Sequence, residues 1–427
     1  MIIKIRKQTK NYVHILILSI LVVYYAISKS ILPSNTTYIF DFINVYTFFK
    51  CSPRILKTLK TIKARGILLI LLFMFLFSIV GFIINNKSII NYLWGIRNVG
   101  RFYMFFISCI VLLGLDDVYK LIKIFDYFLY MNVLICSFQF WFLGFESDLV
   151  GGFFGTITGC NVYMLVLLNI IACYYMMQYF ERRTSLKKLL LMCSCCLYIA
   201  ILAELKVFFF EIILIFIGCF LLGKWSYRKL LTVIIVPLLT IVVINVITKI
   251  SPGTVKYLSI DNAVETLTSS SGYTGDDDLN RLTAITTIRD KFFINDLNRK
   301  LFGFGLGNCD TSRFSILNTP FYQKNSDLHY TWFMHSMTYI ETGIVGIVFL
   351  YIFLISLGIY YIINKREKNI CNFYLFGIVF LGTVLISTIY NPTLRSEAGY
   401  LVAFALAIPF IAAKKEEELT VYDRKEN

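Results

Sequence analysis

Apolar runs of roughly 20 residues recur along the chain, parted by short basic stretches, and a run of that length lets a helix cross about 30 Å of hydrocarbon. The pattern predicts about twelve membrane-spanning helices. They lie near 12–28, 36–49, 66–84, 99–114 (the start of this one open to an earlier residue), 124–144, 158–179, 189–203, 207–222, 230–248, 338–362, 371–389 and 398–413. The alternation fails over one long stretch, about 250–337, which holds Asp276-Asp-Asp278, several arginines, the glycine run Gly303-Phe-Gly-Leu-Gly307 and two of the three histidines. The expected fold is therefore an all-α polytopic membrane protein. Helices one to nine occupy residues 1–249, a large loop 250–337, helices ten to twelve 338–413, and a tail 414–427.

Composition agrees: 58% of residues are hydrophobic and 16% charged, against about 45–50% and about 25% in soluble domains. The net charge of +15 does not point to nucleic acid, because of where it lies. With the N-terminus inside, roughly 26 of the 41 lysines and arginines fall in the short inner segments 1–11, 50–65, 115–123, 181–188, 223–229, 364–369 and 414–427, as the positive-inside rule expects. Both termini are then cytoplasmic and the large loop extracytoplasmic. The second span is short and carries Asp41, but without it Lys4–Lys10 and Lys50–Arg65 would face opposite sides. The first span resembles a signal peptide, yet 11–27 is longer than a signal core and is read as retained.

Candidate metal and disulfide chemistry is weak. Most of the eleven cysteines sit within apolar runs, and Cys193-Ser-Cys-Cys196 reads as small residues for helix packing. His329 and His335 are six apart, a spacing that does not share a helix face. Asp276-Asp-Asp278 lacks the further ligands of a calcium loop and reads as a solvated turn. No metal and no cofactor are expected. The glycine run lacks the Lys-Ser/Thr of a phosphate loop and reads as a turn that lets backbones approach.

Charges at the predicted outer ends of spans need a cavity, a partner or the interface. Arg97 and Arg101 flank Asn98-Val-Gly100, Glu204 and Lys206 sit at the seventh-to-eighth turn, and Arg395 and Glu397 lie before the last span. The plain alternative is that Arg97 and Lys206 snorkel to headgroups and Glu204 pairs with Lys206. Taken together, three such turns beside one polar loop suggest a pocket for an anion such as a phosphate at the membrane surface. A histidine there can accept a proton from a sugar hydroxyl or serve structure alone; Asp327 can orient His329 only if the chain turns between them.

Asn280-Arg281-Leu-Thr-Ala-Ile285, Leu301-Phe-Gly-Phe-Gly-Leu-Gly-Asn308, His329-Tyr330 and Ile340-Glu-Thr-Gly-Ile-Val-Gly346 follow one another in that order. Ala203-Glu204-Leu-Lys206 and Asn391-Pro-Thr-Leu-Arg395 lie to either side. In this the chain resembles the Wzy-type bacterial surface-polysaccharide polymerases of the O-antigen polymerase and ligase superfamily. The resemblance covers roughly 190–400, and the first half through hydropathy. It departs in two places: eleven residues after Arg289 stands Lys300, where some polymerases keep glycine, and the His-Asn pattern of some members is absent around His329.

The resemblance implies an enzyme of the bacterial cytoplasmic membrane that acts at its outer face, on undecaprenyl-diphosphate-linked glycans. It would join a glycan from its carrier to the next lipid-linked repeat unit, with the lipid bilayer as its medium and flippase and chain-length regulator proteins as partners. Arg281 matches the family's diphosphate-binding loop arginine, and His329 the position where ligase-like relatives keep a histidine. The chemistry needs charge held on a departing diphosphate and one hydroxyl deprotonated. Arg281 with Arg97, Arg101, Lys206 or Arg395 would do the first, and His329 or Glu204 the second. Arg289, Tyr330 and His335 complete the expected substrate-binding set, with Tyr322, Tyr330 and Trp332 available to stack on sugars or to form an interfacial belt. Two rivals stand beside the polymerase: a ligase of the same superfamily, and a lipid-linked oligosaccharide flippase or other transporter. The transporter would bury charges mid-span, where only Asp41, Asp126 and Glu211 occur, and would show an inverted repeat that is not evident.

Overall fold

The computed structural model describes residues 37–85, 88–157, 159–223, 278–312, 314–367 and 373–426, with a few isolated residues between 225 and 274. The predicted span near 12–28 lies outside the described residues, as does nearly all of the one near 230–248 and of the loop up to 277. Among the described residues every regular element is helical. The long helices are α1 (Thr37–Thr61), α2 (Arg65–Asn85), α3 (Ile89–Leu112), α4 (Leu115–Trp141), α5 (Asn161–Phe180), α6 (Leu186–Leu202) and α7 (Lys206–Leu222). Short helices α8 (Ala284–Phe292), α9 (Leu297–Phe302) and α10 (Pro320–Asn325) follow in the loop, then α11 (Met334–Glu367), α12 (Phe373–Tyr390) and α13 (Gly399–Glu426).

Six of these, α2, α3, α4, α5, α11 and α12, are long and apolar enough to cross a membrane, as a helical membrane protein requires. Helices α6 and α7 have 17 residues each, about 25 Å of rise. The apolar first half of α13 runs directly into Lys414-Lys-Glu416.

Several helices run past the predicted ends, for one physical reason. The basic stretch 50–65, read as a connecting segment, is helical to Thr61 because Cys51, Ile55, Leu59 and Ile62 form a buried stripe while Arg54, Lys57 and Lys60 face outward. In the same way α4 begins at Leu115 rather than near 124, with Asp117 capping the Gly114 N–H at 2.9 Å and Val118, Leu121 and Ile122 buried. Helix α3 begins ten residues before the predicted 99: Asn91, Arg97 and Asn98 lower the hydropathy, yet Asn98 faces protein rather than lipid.

Helices α5 and the first half of α13 sit at the centre, almost wholly buried, and α2 lies at the rim with its leucines and phenylalanines outward. Small residues set the close approaches: Gly377 of α12 faces Pro409 of α13, and Gly218 of α7 faces Val379 of α12. Far from the loop, Lys414 donates to the Ile110, Val111 and Leu113 carbonyls and caps the C-terminus of α3. Tyr360 donates to the Ile62 carbonyl at 3.0 Å on that same side.

The described part of the loop is not a free-standing unit. Leu279, Ala284, Ile288, Phe293, Cys309 and Tyr330 form one apolar cluster with Met337, Tyr339 and Ile340 of α11. Helix α11 itself breaks at Gly343 (φ 62°, ψ −160°), where the loop passes closest.

Candidate functional site

The glycine run builds the floor of the site. Each of Gly303, Gly305 and Gly307 has a positive φ (62°, 89° and 83°) that other residues rarely adopt. A Cβ on Gly303 would lie 2.5 Å from the Ile340 carbonyl oxygen, and one on Gly307 1.8 Å from that of Asn91. On the partner side, a Cβ on Gly343 would lie 2.4 Å from the Leu301 backbone. The run therefore wedges between α3 and α11, where Phe304 and Gly305 donate backbone N–H groups to the Ile340 and Glu341 carbonyls at 2.9 Å. Its glycines serve close approach, as the missing Lys-Ser/Thr suggested.

That wedge presents N–H groups to the Glu341 side chain. Glu341 is fully buried, and its Oε1 accepts from the Gly307 N–H at 2.9 Å and the Cys309 N–H at 3.4 Å. Its Oε2 accepts from Arg395 Nη1 at 2.6 Å. Arg395 Nη2 reaches Asp310 Oδ2 at 2.7 Å, and the same oxygen accepts from Asn98 Nδ2 at 2.6 Å. Asn98 in turn accepts from Arg97 at 2.7 Å, and Arg97 pairs with Asp41, which also accepts from Tyr400 at 2.7 Å. Arg101 donates to the Arg395 carbonyl and lies 3.7 Å from the Glu397 carboxylate.

Three guanidiniums thus meet four carboxylates, Asp41, Asp310, Glu341 and Glu397, near the loop-side ends of α1 and α11 and the turn before α13; Arg97 and Arg101, expected at the outer end of a span, lie instead in the middle of α3, because that helix begins at Ile89. Burial opposes the Arg395 charge, but Glu341 and Asp310 outweigh it and hold the guanidinium protonated above the ordinary arginine range. Aromatic faces add to the pairing of Arg97, whose guanidinium lies 4.6 Å from the Trp94 ring centre and 5.1 Å from that of Tyr38.

Below this network opens an apolar cavity of about 710 Å³. Its walls come from α1, α2, α3 and α11, among them Phe75, Phe77, Met104, Val345 and Phe349. Glu341 and Arg395 line the same cavity.

The structure brings Arg97, Arg101 and Arg395 together, two of the three turns of the anion-pocket expectation, and shows each engaged by carboxylates. Arg281 is buried close by: its guanidinium stacks 4.0 Å from the Tyr390 ring centre, and its Nε donates to the Tyr390 carbonyl at 3.3 Å. His335 is buried beneath it, with Nε2 2.7 Å from the Arg281 carbonyl and Nδ1 3.2 Å from that of Thr388. The ring thus sits between the loop and α12, and as a neutral imidazole it donates to one of these two carbonyls, according to its tautomer.

His329 lies differently. It follows a 3-10 turn at Ser326–Leu328 in a left-handed conformation, half-buried, with its ring stacked at 3.8 Å on Trp332. The chain does turn at Asp327, yet that carboxylate pairs with the Ser326 hydroxyl, and among the described residues nothing hydrogen-bonds to the His329 ring. Tyr330 is buried, donates to the Cys309 carbonyl at 2.6 Å, and links His329 to the wedge around Glu341. Arg289 is exposed and pairs with Asp290 at 2.7 Å. Glu204 and Lys206 form a separate tight turn between α6 and α7, with Glu204 left-handed at φ 47°.

Sequence reasoning missed the carboxylates that partner the arginines. Asp41 and Glu397 were visible as charges near span ends, and Glu341 as a charge in the Ile340-Glu-Thr-Gly segment. Asp310 and Asn98 carried no signal beyond adjacency to the glycine run and Arg97. No protein-family model and no curated protein matches this sequence.

Proposed function

We propose that this chain polymerises undecaprenyl-diphosphate-linked repeat units at the outer face of the bacterial cytoplasmic membrane, by glycosyl transfer. The observation that carries the reading is the apolar cavity, walled by membrane helices and headed by Arg395 and Glu341. Such a space suits a polyprenyl chain, with its charged headgroup at the loop. The reaction breaks the bond from the donor sugar's anomeric carbon to the diphosphate oxygen. It forms a bond from that carbon to the acceptor hydroxyl oxygen, and the hydroxyl proton passes to a base. His329, half-buried and with unengaged ring nitrogens among the described residues, is the base this reading favours. Arg281 and Arg395 are the groups to receive diphosphate charge, and on binding the lipid diphosphate would exchange with the carboxylates now on Arg395.

The twelve-span topology with cytoplasmic termini belongs to the same proposal. Helix ends support it: Asp41, Arg97, Arg395 and the loop gather at one side, and the Lys414 cap and the Tyr360–Ile62 contact at the other. The test is a reconstituted assay with a synthetic lipid-linked repeat unit. Ladders of rising repeat number with release of undecaprenyl diphosphate are expected. Substrate crossing the vesicle membrane with no new glycosidic bond would assign a transporter instead. Single transfer to a lipid A core acceptor without ladders would assign a ligase. Gly100→Phe narrows the cavity at a position where an added Cβ lies 3.7 Å from Met104 Cε and 3.9 Å from Ile96 Cγ2. It is expected to raise the KM for the lipid substrate and to leave melting unchanged; an unaltered KM would place the lipid elsewhere.

A further inference from the structure

Away from the loop-side network, Glu211 lies about one and a half turns into α7, with no exposed surface. Its Oε2 accepts from Asn169 Nδ2 of α5 at 2.8 Å. Ser387 of α12 lies beside the carboxyl, and Cys173 of α5 is in its neighbourhood. Helices α5, α7 and α12 pack on one another here. Two atoms remain without a donor among the described residues: Glu211 Oε1 and Asn169 Oδ1. Both are acceptors if Glu211 is ionised, and among the described residues no Lys or Arg pairs with Glu211. A carboxylate sealed from water without a cation is among the costliest groups a protein can bury.

One proton resolves both deficits. Placed on Oε1, it lets the carboxyl donate to Asn169 Oδ1 while Asn169 Nδ2 donates to Oε2, a ring of two hydrogen bonds between an acid and an amide. We infer that Glu211 is a proton-binding site, held as a neutral carboxylic acid paired reciprocally with Asn169, and that this pair ties α7 to α5 where α12 packs on both. The inference does not depend on the polymerase reading, because it concerns a different group of helices.

Infrared difference spectra of the purified full chain, wild type minus Glu211→Gln, test it directly. Loss of a protonated-carboxyl C=O band is expected, and loss of carboxylate bands would overturn the assignment. Gln matches the shape of the neutral acid and keeps a donor for Asn169 Oδ1, so Glu211→Gln should melt within about 1 °C of wild type. Glu211→Ala and Asn169→Leu should both melt several degrees lower, because each strands the remaining polar group. If Glu211→Gln melts as low as Glu211→Ala, the neutral-acid assignment is wrong. A melting temperature that rises with sodium at constant ionic strength in wild type but not in Glu211→Gln would show a bound cation instead, and would also overturn it.

Discussion

Glu341 and Glu211 are both carboxyls with no exposed surface, four helices apart in the chain order, and the protein accommodates them by opposite means. Glu341 meets a guanidinium and two backbone N–H groups. Among the described residues Glu211 meets the Asn169 carboxamide, with Ser387 beside it, and no cation. The first arrangement has to join separate parts: the glycine wedge, the start of α11 and the turn before α13. Directional, charge-assisted bonds fix their relative orientation. The second joins helices already packed along their lengths, where a neutral acid supplies hydrogen bonds without burying a charge. The difference teaches that ion pairing here marks where loop and helices must register, and it makes the loop-side network the sensitive region.

Removing its central cation should have the largest effect. Arg395→Ala leaves the buried Glu341 and Asp310 without their cation, a change that costs about 3–5 kcal/mol. Melting of the purified protein in detergent measures it. Neutralising the set together in Arg395→Met with Glu341→Gln and Asp310→Asn should recover much of the loss, since the penalty lies in stranded charges. A wild-type melting temperature for Arg395→Ala would show that the network contributes registration without stability.

Next comes the wedge that delivers the N–H donors to Glu341. Gly307→Ala must hold a positive φ, which costs about 1–3 kcal/mol, and must also move the Asn91 backbone away from its Cβ. Gly66→Ala, where a Cβ meets nothing within 4 Å, is the control and should be neutral or slightly stabilising. Equal melting of the two variants would mean that the wedge does not set the position of Glu341.

How far the sequence revealed these features follows from the physics of each. Apolar runs located the helices because lipid contact demands them over a whole helix length. They misplaced the starts of α3 and α4 because hydropathy cannot tell a polar residue facing protein, such as Asn98, from one ending a span. The continuation of α1 looked like a basic connecting segment because its buried positions are only every third or fourth residue. Arg97, Arg101 and Arg395 were recognisable as charges needing partners. Their partners were not, because Asp310 and Arg395 are 85 residues apart and meet only through the fold. Glu211 showed itself as an isolated acid in an apolar run, and Asn169 as nothing at all.

Matched glutamine substitutions sharpen the comparison at intermediate size. Glu341→Gln keeps the shape but leaves Arg395 short of one carboxylate, a loss of about 1.5–3 kcal/mol for a hydrogen bond to a charged group. The same change at Glu211 removes nothing that the neutral acid provided. A fall in melting at 341 with none at 211 would confirm two modes of burial; equal falls would collapse the distinction.

The smallest structural effect belongs to Arg289, and for that reason it reports on function most cleanly. Its side chain and that of Asp290 are each about half exposed, and an ion pair in such a setting is screened by solvent. Arg289→Ala should therefore leave the melting temperature unchanged. If Arg289 also contacts the glycan or diphosphate, the same variant should raise the KM for the lipid-linked repeat unit in the reconstituted assay. Arg289→Lys, which keeps the charge but loses the planar fork, should then recover part of that loss. Unchanged kinetics for Arg289→Ala would remove it from the substrate-binding set and confine recognition to the buried residues around Arg281 and Arg395, where function and stability have to be separated by paired variants instead.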